Sequence, residues 1–306
     1  MQIISPPLKT ACLPATSPFS LEAKDAYQYW RDEKLAAYPL DVAELMVEVK
    51  NPLALTAAEK KAMFERCRKT NMFIYQFTKP AADPVAKIQV KKLGEQLGLQ
   101  RLDRNLCADD DGISSLKVMP SGQQQTYIPY SNRRISWHTD GYYNTQERQI
   151  KGMLLHCVSS AASGGANALV DPEIAYIHLR EHNPDYIYAL MHPRVMTIPV
   201  NLEQGKPVRP AQSGPVFSVT GGGYLHMRYS ARTRSIEWRE NEITQAARDC
   251  LTALLNSDSK YIFRHRLKPT QGLLCNNVLH NRSAFDDEGE PRLLYRARYF
   301  DRIQMP

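Results

Sequence analysis

The sequence predicts an α+β, mainly β chain: a jelly-roll core with flanking and inserted helices. Three observations predict it. From about residue 115 onward, short strand-like runs alternate with turn signals. Three helical segments precede that region, and two more, near 172–190 and 241–256, interrupt it as covers or insertions. At 306 residues the chain is long enough for one large domain with insertions. The expected division is an N-terminal arm and helix over 1–50, followed by a single jelly-roll domain over 51–306.

Residues 1–20 contain four prolines and no clear period, so an irregular arm is expected there. Residues 21–37 read as a solvated helix. Residues 55–67 read as a stronger one, with Thr56 as N-cap and Glu59 three places on completing a capping box. Met72 to Phe77 has the composition of a strand. A further helix is expected near 84–97, stopped by Gly98. No internal repeat or low-complexity tract is visible.

Composition narrows the function classes. No apolar run approaches the roughly 18 residues that span a bilayer. The first 19 residues lack the apolar core of a secretory signal. The six cysteines (12, 67, 107, 157, 250, 275) show no CxxC or zinc-finger spacing, which predicts reduced thiols in a cytoplasmic protein and gives no support for an accessory zinc site. The net charge of +7 is spread along the chain without a dense basic run, so nucleic acid is not expected as a partner. No membrane partner is expected either. The oligomeric state is open, a homo-oligomer included.

The chemistry is concentrated in Ser136-Trp137-His138-Thr139-Asp140-Gly141. On a strand, residues i and i+2 share a face, so His138 and Asp140 can present an imidazole and a carboxylate together. Alone, such a pair is more often a structural hydrogen bond. A distant third candidate, His280, ends a short apolar run opened by the turn residues 269–272. Two histidines and a carboxylate on one face of a metal, with open positions opposite, form the arrangement of non-haem Fe(II) oxygenases. His156, His178, His182, His192 and His265 lack a matching partner pattern and are expected to bind no metal.

The segment from Arg292 to Phe300 supplies an independent signal. Alternation puts Arg292, Leu294, Arg296 and Arg298 on one face of a strand whose other face is apolar or aromatic. Buried guanidinium groups need anions, and a carboxylate fits their planar fork. At least one of these arginines is expected to pair with Asp286, Asp287, Glu288 or Glu290 nearby.

Together these motifs resemble the 2-oxoglutarate-dependent Fe(II) dioxygenases of the taurine dioxygenase and 2,4-dichlorophenoxyacetate dioxygenase (TauD/TfdA) family. The resemblance rests on residues 137–141, the Gly164-Gly165-Ala166-Asn167-Ala168-Leu169-Val170-Asp171 segment, residues 277–282, and Arg292 with Arg296, and it spans roughly residues 55–302. It implies a double-stranded β-helix (jelly roll) with iron on His138, Asp140 and His280. It implies that Arg292 holds the far carboxylate of 2-oxoglutarate, and that Arg296 touches that cosubstrate or an anionic end of the substrate. Where the family usually has threonine or serine beside the cosubstrate, this chain has Asn167, whose amide can also donate. Fe(II), 2-oxoglutarate and O2 are the implied cofactors, with succinate and CO2 released. Because Asp140 is present, hydroxylation is expected rather than halogenation.

The prime substrate is expected to be a small anionic or zwitterionic metabolite. Candidate contacts are Tyr142, Tyr143, His226 and Arg228, with Arg232 as a further anion contact. The glycine-rich stretch 221–223 before His226 reads equally as a pocket wall or a surface hairpin. Tyr127 and Tyr130 are wall or core aromatics. Two other readings fit the same ligands: a zinc hydrolase with a bound water, which leaves the arginine strand unexplained, and a non-catalytic jelly-roll binding protein.

Overall fold

In the computed structural model the described residues are 16–304, apart from 105–108, 110, 122–126, 204, 233 and 288–290. Most of the expected arm, Cys12, Cys107, Glu288 and Glu290 therefore lie outside them. Two sheets organise the chain. The larger has the strand order Met46–Val49, Met72–Phe77, Gln271–Cys275, Gly152–Ser159, Leu293–Tyr299, Ser114–Leu116, with only the first pair parallel. The smaller has the order Phe263–His265, Asn167–Val170, Leu279–Arg282, Ile135–His138, all antiparallel.

Inner-face side chains of both sheets share one buried cluster. Met72, Met153, Leu155 and Leu273 come from the larger sheet, and Leu169 and Phe263 from the smaller. The outer faces are covered by helices. Tyr75, Tyr295, Ala297 and Tyr299 pack with Met63 and Cys67 of helix Ala57–Thr70 and Val90 and Leu93 of helix Val85–Glu95. Trp137, Val170 and Leu279 pack with helices Pro172–His182, Pro184–Leu190 and Glu242–Leu255. The period-2 reading of the last strand holds: Tyr295, Ala297 and Tyr299 face the helices, while Leu294 faces the inner cluster. The strand begins at Leu293, so Arg292 precedes it.

The expected capping box is present. Thr56 accepts from the Glu59 amide, and the Glu59 carboxylate accepts from Thr56 N at 2.7 Å. The chain leaves this helix through Asn71 at φ 58°, a left-handed cap. Gly98, at φ +87°, follows helix Val85–Glu95 by three residues.

The first helix, Lys24–Ala37, corrects an expectation, because it is not merely solvated. Tyr27 is buried and Trp30 packs on Phe19 and Tyr176. Lys34 is buried between Asp171, at 2.6 Å, and Glu173, at 2.5 Å. Burial alone would lower its pKa, but the two carboxylates outweigh that and raise it. The sequence pattern concealed this because the partners lie more than 130 residues away. No helix among the described residues is long and apolar enough to cross a membrane.

His156, in the larger sheet, is 4% exposed and contacts the Tyr75 hydroxyl at 3.2 Å. Burial pushes its pKa down to about 4. Between about pH 6.5 and 4 the unfolded chain therefore binds the proton that the folded chain refuses. The contribution of neutral His156 to stability is full above about pH 6.5 and is lost as pH falls toward 4, levelling off below. Urea unfolding midpoints measured across that window should fall less steeply in His156→Gln than in the wild type; parallel slopes would remove His156 as a cause.

Candidate metal centre and its flanking cavities

The centre is built by register. Antiparallel pairing sets His280 opposite His138, so both rings project from the same face of the smaller sheet. Their centroids lie 4.2 Å apart. Asp140 Oδ1 sits 3.6 Å from His138 Nε2 and 3.9 Å from His280 Nε2. One ligand atom from each of His138, Asp140 and His280 falls within 4.8 Å of the others. The three residues expected from the sequence are thus brought together.

Each ligand is oriented from behind. His138 Nδ1 lies 2.9 Å from the Ser136 carbonyl, and His280 Nδ1 lies 2.9 Å from the Val278 carbonyl. A carbonyl can only accept, so each Nδ1 carries the proton and each Nε2 keeps a free lone pair. Asn277, at φ 53°, clamps the third ligand. Its Oδ1 accepts from Asp140 N at 2.8 Å, and its Nδ2 donates to Asp140 O at 2.9 Å and to Ile150 O at 2.7 Å. Gly141 has φ +67°, and a Cβ there would collide with the Ile150 side chain. Sequence reading passed over Asn277 as a functional residue. Its visible signal was the Asn276-Asn277 pair, a residue type that tolerates left-handed backbone.

The donor set fits a divalent cation. Asp140 is 4% exposed, and its Oδ2 has no hydrogen-bond partner. Burial alone would raise its pKa; the Arg296 guanidinium, the His138 hydrogen bond, Arg298 and His280 outweigh that and hold it well below the usual carboxylate range. His280 is lowered to about 4 by burial and by neighbouring His138, so it is neutral. An ionised carboxylate with an unbonded oxygen beside two imidazoles is a ready ligand set for a hard or borderline metal.

Two cavities are associated with the site. One is lined by Asp140, Tyr142, Gln149, Ser213, Pro215 and His226. The other is lined by Cys157, Gly165, Asn167, Arg266, Leu267 and Arg292. Arg292 is 5% exposed, its guanidinium lies over the Phe285 ring at 4.9 Å, and among the described residues no carboxylate forms an ion pair with it. Asp287 bonds to its backbone amide instead, at 3.1 Å. Burial lowers its pKa. Asn167 stands beside it, donating to the Asn281 carbonyl at 2.8 Å.

The remaining arginines sort differently from expectation. Arg298 pairs with Asp103, an acid not anticipated from the sequence, and donates to the Tyr143 hydroxyl at 2.8 Å. Arg296 places Nη1 3.7 Å from Asp140 Oδ2. Arg228 was expected as an anion contact. It borders the first cavity, but its guanidinium donates to the carbonyls of Tyr142, Met196, Gly214 and Gln212, so it ties backbone together. Arg232 is exposed and donates to the Tyr142 hydroxyl. His226 lies on strand Leu225–Met227 of a hairpin whose tip, 221–224, is exposed. Hairpin and pocket wall are therefore both present: His226 itself is buried, and its pKa is pushed down to about 4 by burial and by Lys151, Arg302 and Arg228. Tyr142 lines the same cavity, edge-on to His138 with centroids 6.5 Å apart. Tyr130 is a core residue.

The chain belongs to the family described as taurine catabolism dioxygenase TauD, TfdA family, whose pattern matches residues 83–298. This is a family of enzymes, 2-oxoglutarate-dependent dioxygenases that use Fe(II), 2-oxoglutarate and O2. Among curated proteins, the chain is 32% identical over 175 residues to a uridine-5'-phosphate dioxygenase from Amycolatopsis sp, covering 53% of this chain and 60% of that protein. It is 27% identical over 212 residues to a uridine-5'-phosphate dioxygenase from Streptomyces sp, covering 66% and 74%. Among solved structures, the fold is similar to that of AAD-2 in complex with Mn(II) and N-oxalylglycine, with TM-score 0.60, 14% identity, and coverage of 85% of this chain and 95% of the other.

His138→Ala, Asp140→Ala and His280→Ala should each lose bound Fe(II) and Fe(II)-dependent turnover while the far-ultraviolet circular dichroism stays native, since three apolar clusters carry the fold without the ligands. A variant that keeps full iron content would strike that residue from the ligand set.

Proposed function

We propose that this chain oxidises, by hydroxylation, a C–H bond of a small anionic metabolite of the nucleoside 5'-phosphate class, on a jelly-roll scaffold. The observation that carries the cosubstrate reading is Arg292: a buried guanidinium with no ion-pairing carboxylate among the described residues, at a cavity of its own. A guanidinium taken out of water is costly unless an anion meets it, and a terminal carboxylate matches its fork. In this reading His138, Asp140 and His280 hold Fe(II), Arg292 holds the far carboxylate of 2-oxoglutarate, and Asn167 borders the same cavity. Bound iron supplies oxygen activation coupled to decarboxylation of 2-oxoglutarate. The protein orients both substrates and excludes water.

For the prime substrate, support comes from two sides. The two curated relatives bear the name uridine-5'-phosphate dioxygenase. Arg296, in the strand itself, has no hydrogen bond of its own among the described residues, its Nε being buried and unpartnered. The cavity with Asp140, Tyr142 and His226 would take the substrate body, and Arg296 its anionic end. A zinc hydrolase would leave the Arg292 cavity without a purpose.

Arg292→Ala should raise the 2-oxoglutarate requirement by roughly thirty- to several-thousand-fold, because truncating one partner of a buried charged pair costs about 2–5 kcal/mol at about 1.4 kcal/mol per tenfold. An unchanged concentration dependence of uncoupled 2-oxoglutarate decarboxylation would make Arg292 structural.

Succinate formation with uridine 5'-phosphate, uridine and a panel of small carboxylates tests the substrate class. The phosphate should be preferred over uridine in the wild type, and the preference should collapse in Arg296→Leu. Equal turnover of charged and neutral forms in the wild type would sink the anionic-substrate reading while leaving the reaction class standing.

A further inference from the structure

Away from the iron centre, helices Pro172–His182 and Glu242–Leu255 pack side by side over the outer face of the smaller sheet. Where they meet, His178, His182 and Cys250 each bring one ligand atom to within 4.8 Å of the others. Cysteine spacing alone gave no support for an accessory zinc site; this grouping arises only from the packing of the two helices. The two histidines, four residues apart, sit one above the other on a single helix face. Their ring centroids are 4.3 Å apart.

The three side chains are poised as ligands. His182 Nδ1 lies 2.7 Å from the His178 carbonyl, which can only accept, so the lone pair of His182 is on Nε2. His178 forms no hydrogen bond through its ring among the described residues. Cys250 is a free, half-buried thiol. Its neighbours on the helix, Ala247, Leu251 and Leu254, are buried in the cluster beneath. The backbones on both sides are therefore fixed by packing, and only side-chain torsions remain to close a site.

We propose that His178, His182 and Cys250 form a second metal site, selective for a borderline-soft d-block dication such as Zn2+. Two imidazoles and a thiolate are a zinc-type donor set, completed to a tetrahedron by water. The set differs from the iron centre in the one atom that matters for selectivity, the sulfur. Bound there, the ion clips together the two helices that cover Trp137 and Leu279, the neighbours of His138 and His280. It stabilises the folded chain by mass action and takes no part in turnover.

Titration of the full chain with Co2+ separates the two sites. A thiolate-to-cobalt charge-transfer band can come only from a site with sulfur, which the iron centre lacks. The band should appear in the wild type and in Asp140→Ala, and Zn2+ should displace it. It should vanish in Cys250→Ser and need at least about tenfold more Co2+ in His182→Ala, where an exposed side chain is removed. Zn2+ should raise the Tm of Asp140→Ala but not that of Asp140→Ala combined with Cys250→Ser. Absence of the band in the wild type, its persistence in Cys250→Ser, or an affinity unchanged in His182→Ala would each overturn the proposal. Iron-dependent turnover should be unaffected in Cys250→Ser; its loss would contradict the assignment of a purely structural clip.

Discussion

The pairing of strand Leu279–Arg282 with strand Ile135–His138 is the contact on which the site depends. His280 meets His138 across that pairing, although their sequence positions are 142 residues apart (280 − 138). Strand side chains alternate, so a slip by one residue would turn His280 outward and Leu279 inward. Leu279 is itself a member of the apolar cluster under the helices, so such a slip would cost burial as well as a ligand. Arg282 reinforces the register from the far end, donating to the carbonyls of Ser131 and Arg133, which precede the partner strand. Asn277 then fixes Asp140 to the turn entering the same strand. The positions of the three side chains are thus held by backbone and amide contacts.

Charge disposition explains why so many cations can stand inside this protein. Lys34 has Asp171 and Glu173, Arg298 has Asp103, and Arg228 and Arg282 have carbonyl oxygens. Lys34 and Arg298 are thus paired and Arg228 is hydrogen-bonded through all three guanidinium nitrogens, while Arg282 keeps a buried Nε without a hydrogen-bond partner. Arg292 and Arg296 are the members of this group that the described residues leave unsatisfied or held only by a ligand carboxylate. These two are the guanidinium groups on which the proposed binding of external anions rests.

The sequence made the His138-Asp140 pair, the capped helix at Thr56 and the apolar face of the last strand legible, because each is a local pattern, while the distant His280 was joined to the pair through the resemblance of its motif to the family's. Contacts set by tertiary approach were not legible. Nothing in residues 21–37 announces that Lys34 will be neutralised by a helix cap far downstream. Nothing beside Arg298 points to Asp103, and the nearby acids at 286 and 287 form no ion pair with it. Arg228 shows the opposite failure. Its setting among glycines and aromatics suggested a ligand contact, but the backbone carbonyls around it absorb its donors. His178 and His182 were visible as a helix-spaced pair, while Cys250 came to them only through helix packing.

Reaction class and substrate are read from different parts of the chain, which is why one is far clearer than the other. The candidate metal ligands stand on or beside long-range pairings of the two main sheets, which tolerate little variation. The wall of the Asp140 cavity is supplied by short elements outside those sheets. Ser213 and Gly214 come from a three-stranded unit with Met196–Ile198 and Glu237–Trp238, and His226 comes from the hairpin with Phe217–Val219. Segments of this kind can change in length and sequence at little cost to the core. In this chain Arg228 stitches them together by bonding to Tyr142, Met196, Gln212 and Gly214 at once. Arg228 therefore sets the shape of the wall by holding backbone, and it links that wall to the turn immediately after Asp140.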